Sequence, residues 1–353
     1  MEHKRKKSNG IALLLPASAL LLPTVTLSVA VRGRAELAEL ISLCIGRPIR
    51  RMLSLVGSAL PFSGAELLLF SALPITLLAV RGALGLDGRG RVRLVALLLT
   101  LLSSLYACFF FTLGVSYHGR GLGEKMGFDV PASLRSEELS SLCLELSRGA
   151  REHYPSAVPE PRELSHRLDM AYSGFCDEYG FVDSLHATPK ELFASGMWTR
   201  LGVMGFYSYC FGQTAVNTAF PAFAVTYTCA HEMAHQRGVG REDEANFIAY
   251  LVLVGSDDGY LRYCGYAGML EYALCALADI SPELFAKLYS ELHAGVRADI
   301  EALWSLVRES GSGRADRLTD ALNDAYLKGN GTEGRASYGY ALRLLAGYEE
   351  SRN

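Results

Sequence analysis

The sequence predicts a mainly α protein: transmembrane helices at the N-terminus, then a mostly helical domain. Three observations predict it. Uncharged apolar runs of span length are confined to residues 1–117. From His118 onward, charged residues become frequent and apolar residues recur with helical spacing. Strand signals are few.

The first run, residues 11–31, carries no charge and follows the basic cluster Lys4 to Lys7. It exceeds the apolar core of a signal peptide, roughly 7–15 residues. It reads as a spanning helix that Pro16 and Pro23 kink but do not exclude. A second run covers residues 61–80, with Glu66 placed at the membrane interface. A third, residues 94–117, holds Leu-rich and Phe-rich stretches. Residues 1–117 are therefore expected to form a membrane anchor of about three spans with the lipid bilayer as partner. Residues 118–353 are the domain it carries.

Basic residues set orientation. Lys4 to Lys7, and the group Arg81, Arg89, Arg91 and Arg93, mark the cytoplasmic side. Three spans then place everything after Tyr117 outside the cytoplasm. The loop 32–63 runs against this rule, because it holds Arg32, Arg34, Arg47, Arg50 and Arg51. It is expected to lie on the membrane surface as an amphipathic helix.

Within the domain, residues 136–154 predict an amphipathic helix with Leu139, Leu142, Cys143, Leu146 and Ala150 on one face. A second helix is expected over 163–179, a short strand or irregular turn within 200–213, and one long helix over 282–308. Residues 329–334 read as a loop. The net charge of -3 and the lack of a basic stripe with interleaved aromatics argue against a nucleic-acid partner. The eight cysteines form no CxxC pair, which argues against a cysteine zinc cluster, and their spacing specifies no disulfide.

Chemistry concentrates in the segment 219–254, AFPAFAVTYTCAHEMAHQRGVGREDEANFIAYLVLV. Asn217 or Thr218 is expected to cap a helix whose first turn holds Pro221. Gly238 and Gly240 stop it, and a second helix begins near Arg241. His231 and His235 are four apart and project from one face. Two neutral imidazoles at that spacing can bind one Zn2+. Glu232 beside them is the candidate general base.

A catalytic zinc takes three protein ligands and keeps one open position. Glu242, Asp243 and Glu244 are the candidates. Glu242 shares a helix face with Ala245, Asn246 and Ala249, small residues that let the two helices lie close. Glu244 shares a face with Phe247, Ile248 and Leu251, which suits a core. Glu242 is the expected third ligand and Glu244 the alternative. Asn246 is expected to hydrogen-bond a ligand histidine from behind. Weaker candidates for polarising a carbonyl are Tyr263, Arg262, Tyr338 and His118.

HExxH followed by ExxAN resembles the glutamate-zincin metallopeptidases, which implies a zincin-like fold and a zinc-ligating glutamate at Glu242. The chain departs from their usual spacing, since only six residues separate His235 from Glu242. More closely, it resembles a family of bacterial membrane proteins catalogued as domain of unknown function 3810. The matching stretches are 212–217 with Pro221, HEMAHQRGVGREDEANFIAYL, 262–266, 323–328 and 337–339, with 117–121 after the last run. The resemblance covers most of the chain and implies a zincin-like catalytic domain, in a family with no assigned substrate. With the topology above, the expected protein is an integral protein of the bacterial plasma membrane whose extracytoplasmic domain acts on a peptide or protein. Alternative readings are a catalytically silent sensor or scaffold and a zinc amidase on a non-peptide substrate.

Overall fold

Capping decides where the apolar helices begin. A computed structural model of the chain describes residues 12–310 and 338–352. Helix α1, Leu15–Ala30, has 16 residues and is shorter than the expected 11–31 span. Helix α4, Gly64–Leu84, starts where the Ser63 hydroxyl accepts from the Glu66 amide, three residues inside the expected 61–80, and ends four residues beyond it. Helix α5, Gly88–Thr112, is capped by Asp87 accepting from the Gly90 amide. It takes Arg89, Arg91 and Arg93 into its first turns and ends five residues before the expected 117; the chain then tightens into a 3-10 turn, Gly114–His118. Among the described residues, α4 and α5 are the two helices long and apolar enough to cross a membrane. Helix α1 packs against α5.

Glu66, expected at the membrane interface, is enclosed by protein. It is wholly buried, and its carboxylate accepts from the Phe193 and Ala194 amides at 2.9 and 3.0 Å and from the Trp198 indole at 2.8 Å. A buried carboxylate needs such donors, and these tie the start of α4 to the downstream domain.

The loop 32–63 is helical, as expected, but three of its five arginines, Arg47, Arg50 and Arg51, pair with the downstream domain. It forms α2, Ala35–Ile41, a π turn, Ser42–Gly46, and α3, Arg47–Ala59. Arg50 and Asp183 are both buried and meet at 2.7 Å, while Arg47 reaches the other oxygen of Asp183 at 2.5 Å. Arg51 donates to the Ser184 carbonyl and Ser54 to that of His186. The basic face of α3 is therefore clamped to the domain. Its apolar face, Met52, Leu55 and Val56, is exposed.

The domain core centres on α12, Gly259–Ile280. Around it pack α7 (Ser136–Glu152), α10 (Ala222–Gln236), α11 (Glu242–Val254) and the C-terminal α15 (Tyr338–Arg352). The expected face of α7 is buried as read. Helix α8, Pro161–Glu178, matches the second expected helix. The 282–308 helix is instead two, α13 (Pro282–Glu291) and α14 (Ala294–Ser310). Leu292 takes an extended backbone, which turns its side chain into the core. A Cβ at Gly295 would lie 2.2 Å from the Tyr154 ring, so only glycine lets α14 approach there.

Among the described residues the domain also holds three short strands: β1 (Lys190–Glu191), β2 (Gly205–Ser208) and β3 (Gln213–Val216). Their order is β1-β3-β2, with β1 parallel and β2 antiparallel to β3. The sheet lies on α10. A small helix, Ser195–Arg200, precedes β2. Asn217 does not cap α10. Its amide donates to Thr199 and to the Ser195 and Val203 carbonyls, holding the loops together, and Pro221 occupies the cap position.

Candidate metal centre

Helix α10 is apolar on nearly every side, with Phe223, Ala224, Tyr227, Ala230, Met233 and Ala234 all buried. Its C-terminal turn is broken by Gly238 at φ +92, a left-handed conformation that favours glycine. The chain then reverses and α11 starts at Glu242. Helices α10 and α11 pack closely because Ala245 and Ala249 are fully buried between them. A second close approach sets the rear of the site. A Cβ at Gly268 would fall 2.2 Å from the Tyr227 ring. The glycine lets α12 press Tyr227 into place, and the Tyr227 hydroxyl donates to the Asn246 carbonyl at 2.9 Å.

This framework converges three side chains. His231 Nε2 lies 3.1 Å from His235 Nε2 and 3.1 Å from Glu242 Oε2, and His235 Nε2 lies 3.3 Å from the same carboxylate oxygen. The outer ring nitrogens are both engaged. His231 Nδ1 meets Asn246 Oδ1 at 2.7 Å, and His235 Nδ1 meets the Val239 carbonyl at 2.8 Å. A carbonyl only accepts, so each Nδ1 carries the proton and each Nε2 presents a lone pair. Two lone pairs and a carboxylate oxygen then face one point, an arrangement that repels unless a cation or a proton sits there.

The triangle fits a metal ion. A tetrahedral Zn2+ with bonds of about 2.0–2.1 Å sets its ligand atoms about 3.3 Å apart, against 3.1, 3.1 and 3.3 Å here. Two imidazoles and one carboxylate are a donor set that zinc accepts. In the metal-free protein a proton takes the cation's part. Burial opposes charge on His235, but Glu242 beside it raises the imidazole to about 9. Burial likewise pushes the Glu242 carboxyl up, and the His235 and His231 rings outweigh it and hold it well below the usual carboxylate range.

Glu232 lies on an adjacent face of α10, away from the triangle's backing. It is buried, and burial pushes its carboxyl up against the opposite pull of the two imidazoles. It accepts from the Tyr207 amide of β2. Gly205 brings that strand close: a Cβ there would sit 2.8 Å from the Thr228 methyl and 3.4 Å from Glu232.

Glu244 is turned away from the cluster. Its carboxylate accepts from the Leu122 amide at 3.1 Å and from Arg241 at 2.9 Å. Tyr263 donates to Asp299, and Arg262 donates to the Ser256 carbonyl, so both are occupied elsewhere. His118 sits in the 3-10 turn after α5. The side chain of Tyr338 and the stretches 323–328 and 329–334 lie outside the described residues. Sequence reasoning missed Tyr227, the Val239 carbonyl and the β2 backbone. Tyr227 stands one turn before His231, the one of these that a helical projection would have flagged.

The model of the family described as "Protein of unknown function (DUF3810)" matches residues 43–346, most of the chain. The chain belongs to DUF3810. No curated protein and no solved structure matches it. The DUF3810 match takes in α3, α4, α5 and the cluster together.

Proposed function

We propose that this protein is a membrane-anchored, zinc-dependent hydrolase of the zincin type that cleaves peptides or proteins outside the cytoplasm. The single observation that carries this reading is the triangle of His231 Nε2, His235 Nε2 and Glu242 Oε2, with both rings held from behind by Asn246 and the Val239 carbonyl. Those three residues would hold the ion. Bound there, Zn2+ supplies a Lewis acid and makes water acidic near neutral pH, with a pKa of about 7.

The chain's own groups do the rest. Asn246 and the Val239 carbonyl fix the tautomer and direction of each imidazole. The Glu232 carboxylate takes a proton from the attacking water and passes it to the leaving amine. Strand β2 is an edge of the sheet and runs past Glu232. An extended peptide added along such an edge pairs through its main chain, which supports a peptide substrate over a small amide.

Anchoring is supported by α4 and α5 and by the seat of the cluster above them. Arg241, the residue before Glu242, donates to the Tyr117 and Gly119 carbonyls, just beyond the end of α5. The Arg50 guanidinium fills the space beside Gly238 in the loop joining the two metal-binding helices. The cluster is thus built on the segments that join the apolar helices to the domain.

The test compares wild-type protein with Glu232→Gln, both full length and purified from membranes. Zinc content and cleavage of a peptide library are measured on each. Zinc retained by both, with cleavage reduced by about 10²–10⁴-fold in the variant, supports the reading. Equal cleavage by the two proteins would sink the role of Glu232.

A further inference from the structure

The turn joining β2 to β3 is wedged between the anchoring helices. A Cβ at Gly57 would fall 2.3 Å from the Phe211 carbonyl, and one at Gly64 would fall 2.6 Å from the Phe211 ring. The Gln213 amide donates to the Gly57 carbonyl and accepts from the Gly64 amide, both at 2.8 Å. On the other side the Tyr209 ring packs edge-on to Phe109 of α5, with centroids 5.4 Å apart. These contacts fix the turn against the last part of α5, and they bring two thiols together. The Cys108 thiol donates to the Tyr209 carbonyl at 3.3 Å and is in hydrogen-bond contact with the thiol of Cys210. Both cysteines are half-buried and neither is bonded in this structure.

We propose that Cys108 and Cys210 form a disulfide that locks the β2–β3 hairpin to the end of α5. The inference rests on the outward placement of the domain given above, because thiols persist as disulfides in oxidising compartments. The oxidant is the disulfide of an extracytoplasmic thiol oxidoreductase. The Cys210 thiolate attacks one sulfur of that disulfide and releases the other as a thiolate, leaving a mixed disulfide. The Cys108 thiolate then attacks the Cys210 sulfur, forming the Cys108–Cys210 bond and releasing the second oxidoreductase sulfur. Two protein thiols give up two electrons and two protons, and the oxidoreductase ends as a dithiol. The lock acts on function through β2, which leads from this turn to the Tyr207 amide on Glu232.

The test is alkylation with iodoacetamide of protein that was acid-quenched in membranes, before and after reduction, read by intact mass and peptide mapping. The chain has eight cysteines. The expected result is six alkylated without reductant and eight with it, plus a linked peptide pair holding Cys108 and Cys210. In Cys210→Ser the freed Cys108 raises the unreduced count to seven. Sidedness is read separately. Glu291 is exposed on the domain, so Glu291→Cys in intact cells gains a label from a membrane-impermeant maleimide if the domain is outside. Eight alkylated thiols without reductant, in cells where that reporter is labelled, overturns the disulfide alone. An unlabelled reporter that becomes reactive on lysis overturns the outward placement, and the disulfide falls with it.

Discussion

Asn246→Ala removes the oxygen that holds His231 from behind while leaving all three metal-facing atoms in place. The Nδ1–H···Oδ1 contact is 2.7 Å, and Asn246 is buried at 3 % exposure, so water replaces it poorly. Without it, the ring is free to rotate and to shift its proton to Nε2, which removes the lone pair. Loss of such a partner behind a metal ligand weakens binding by about 10–100-fold, or about 1.4–2.8 kcal/mol. Helix α11 itself does not suffer, because alanine is a better helix former than asparagine. The Tyr227 contact also survives, since it reaches the backbone carbonyl of residue 246. The assay is competitive zinc titration of the full-length protein against a chromophoric chelator, with thermal unfolding of the metal-free form as control. A zinc affinity within twofold of wild type, in a normally folded variant, would refute the claim that Asn246 sets the His231 tautomer.

Three further outcomes follow from the same geometry. Glu242→Gln is expected to lose zinc binding and, near neutral pH, the metal-free stability that its pairing with His235 contributes, whereas Glu244→Ala is expected to bind zinc normally yet lose about 1–3 kcal/mol, because the Leu122 amide and Arg241 lose their acceptor; zinc titration separates them. Arg50→Leu strands the buried Asp183 carboxylate with Arg47 as its remaining ion pair, which is expected to cost about 3–5 kcal/mol in denaturant unfolding; a loss under 1 kcal/mol would show that the clamp is not formed. Glu66→Leu leaves three donors without an acceptor and is expected to destabilise by about 3 kcal/mol or more, with protease sensitivity appearing around residues 192–198.

Much of the site was legible because it depends on helical geometry. The i, i+4 histidines and the small-residue face of Glu242, Ala245, Asn246 and Ala249 follow from 3.6-residue periodicity alone, and they pick out the side chains that meet here. Glu244 also obeyed the rule, turning to the side of Phe247 and Ile248. What local patterns could not convey is long-range pairing. Arg47, Arg50 and Arg51 look like a surface charge cluster in sequence, and their partners lie some 130 positions later. Glu66 reads as an interfacial acid for the same reason. Helix ends were misplaced where capping by Ser63 and Asp87, rather than hydropathy, sets the start. The split of 282–308 depends on Leu292 turning inward and Gly295 meeting Tyr154, contacts with no local signature.

The most direct measurement is the zinc stoichiometry of full-length protein, purified without chelators in detergent, alongside His231→Ala, His235→Ala and Glu242→Ala. One zinc per chain in the wild type, falling below about one tenth in each variant at zinc concentrations that saturate the wild type, is the expected result. A wild-type protein that holds no zinc when offered stoichiometric metal, or variants that hold as much as wild type, would contradict a metal centre at these three residues.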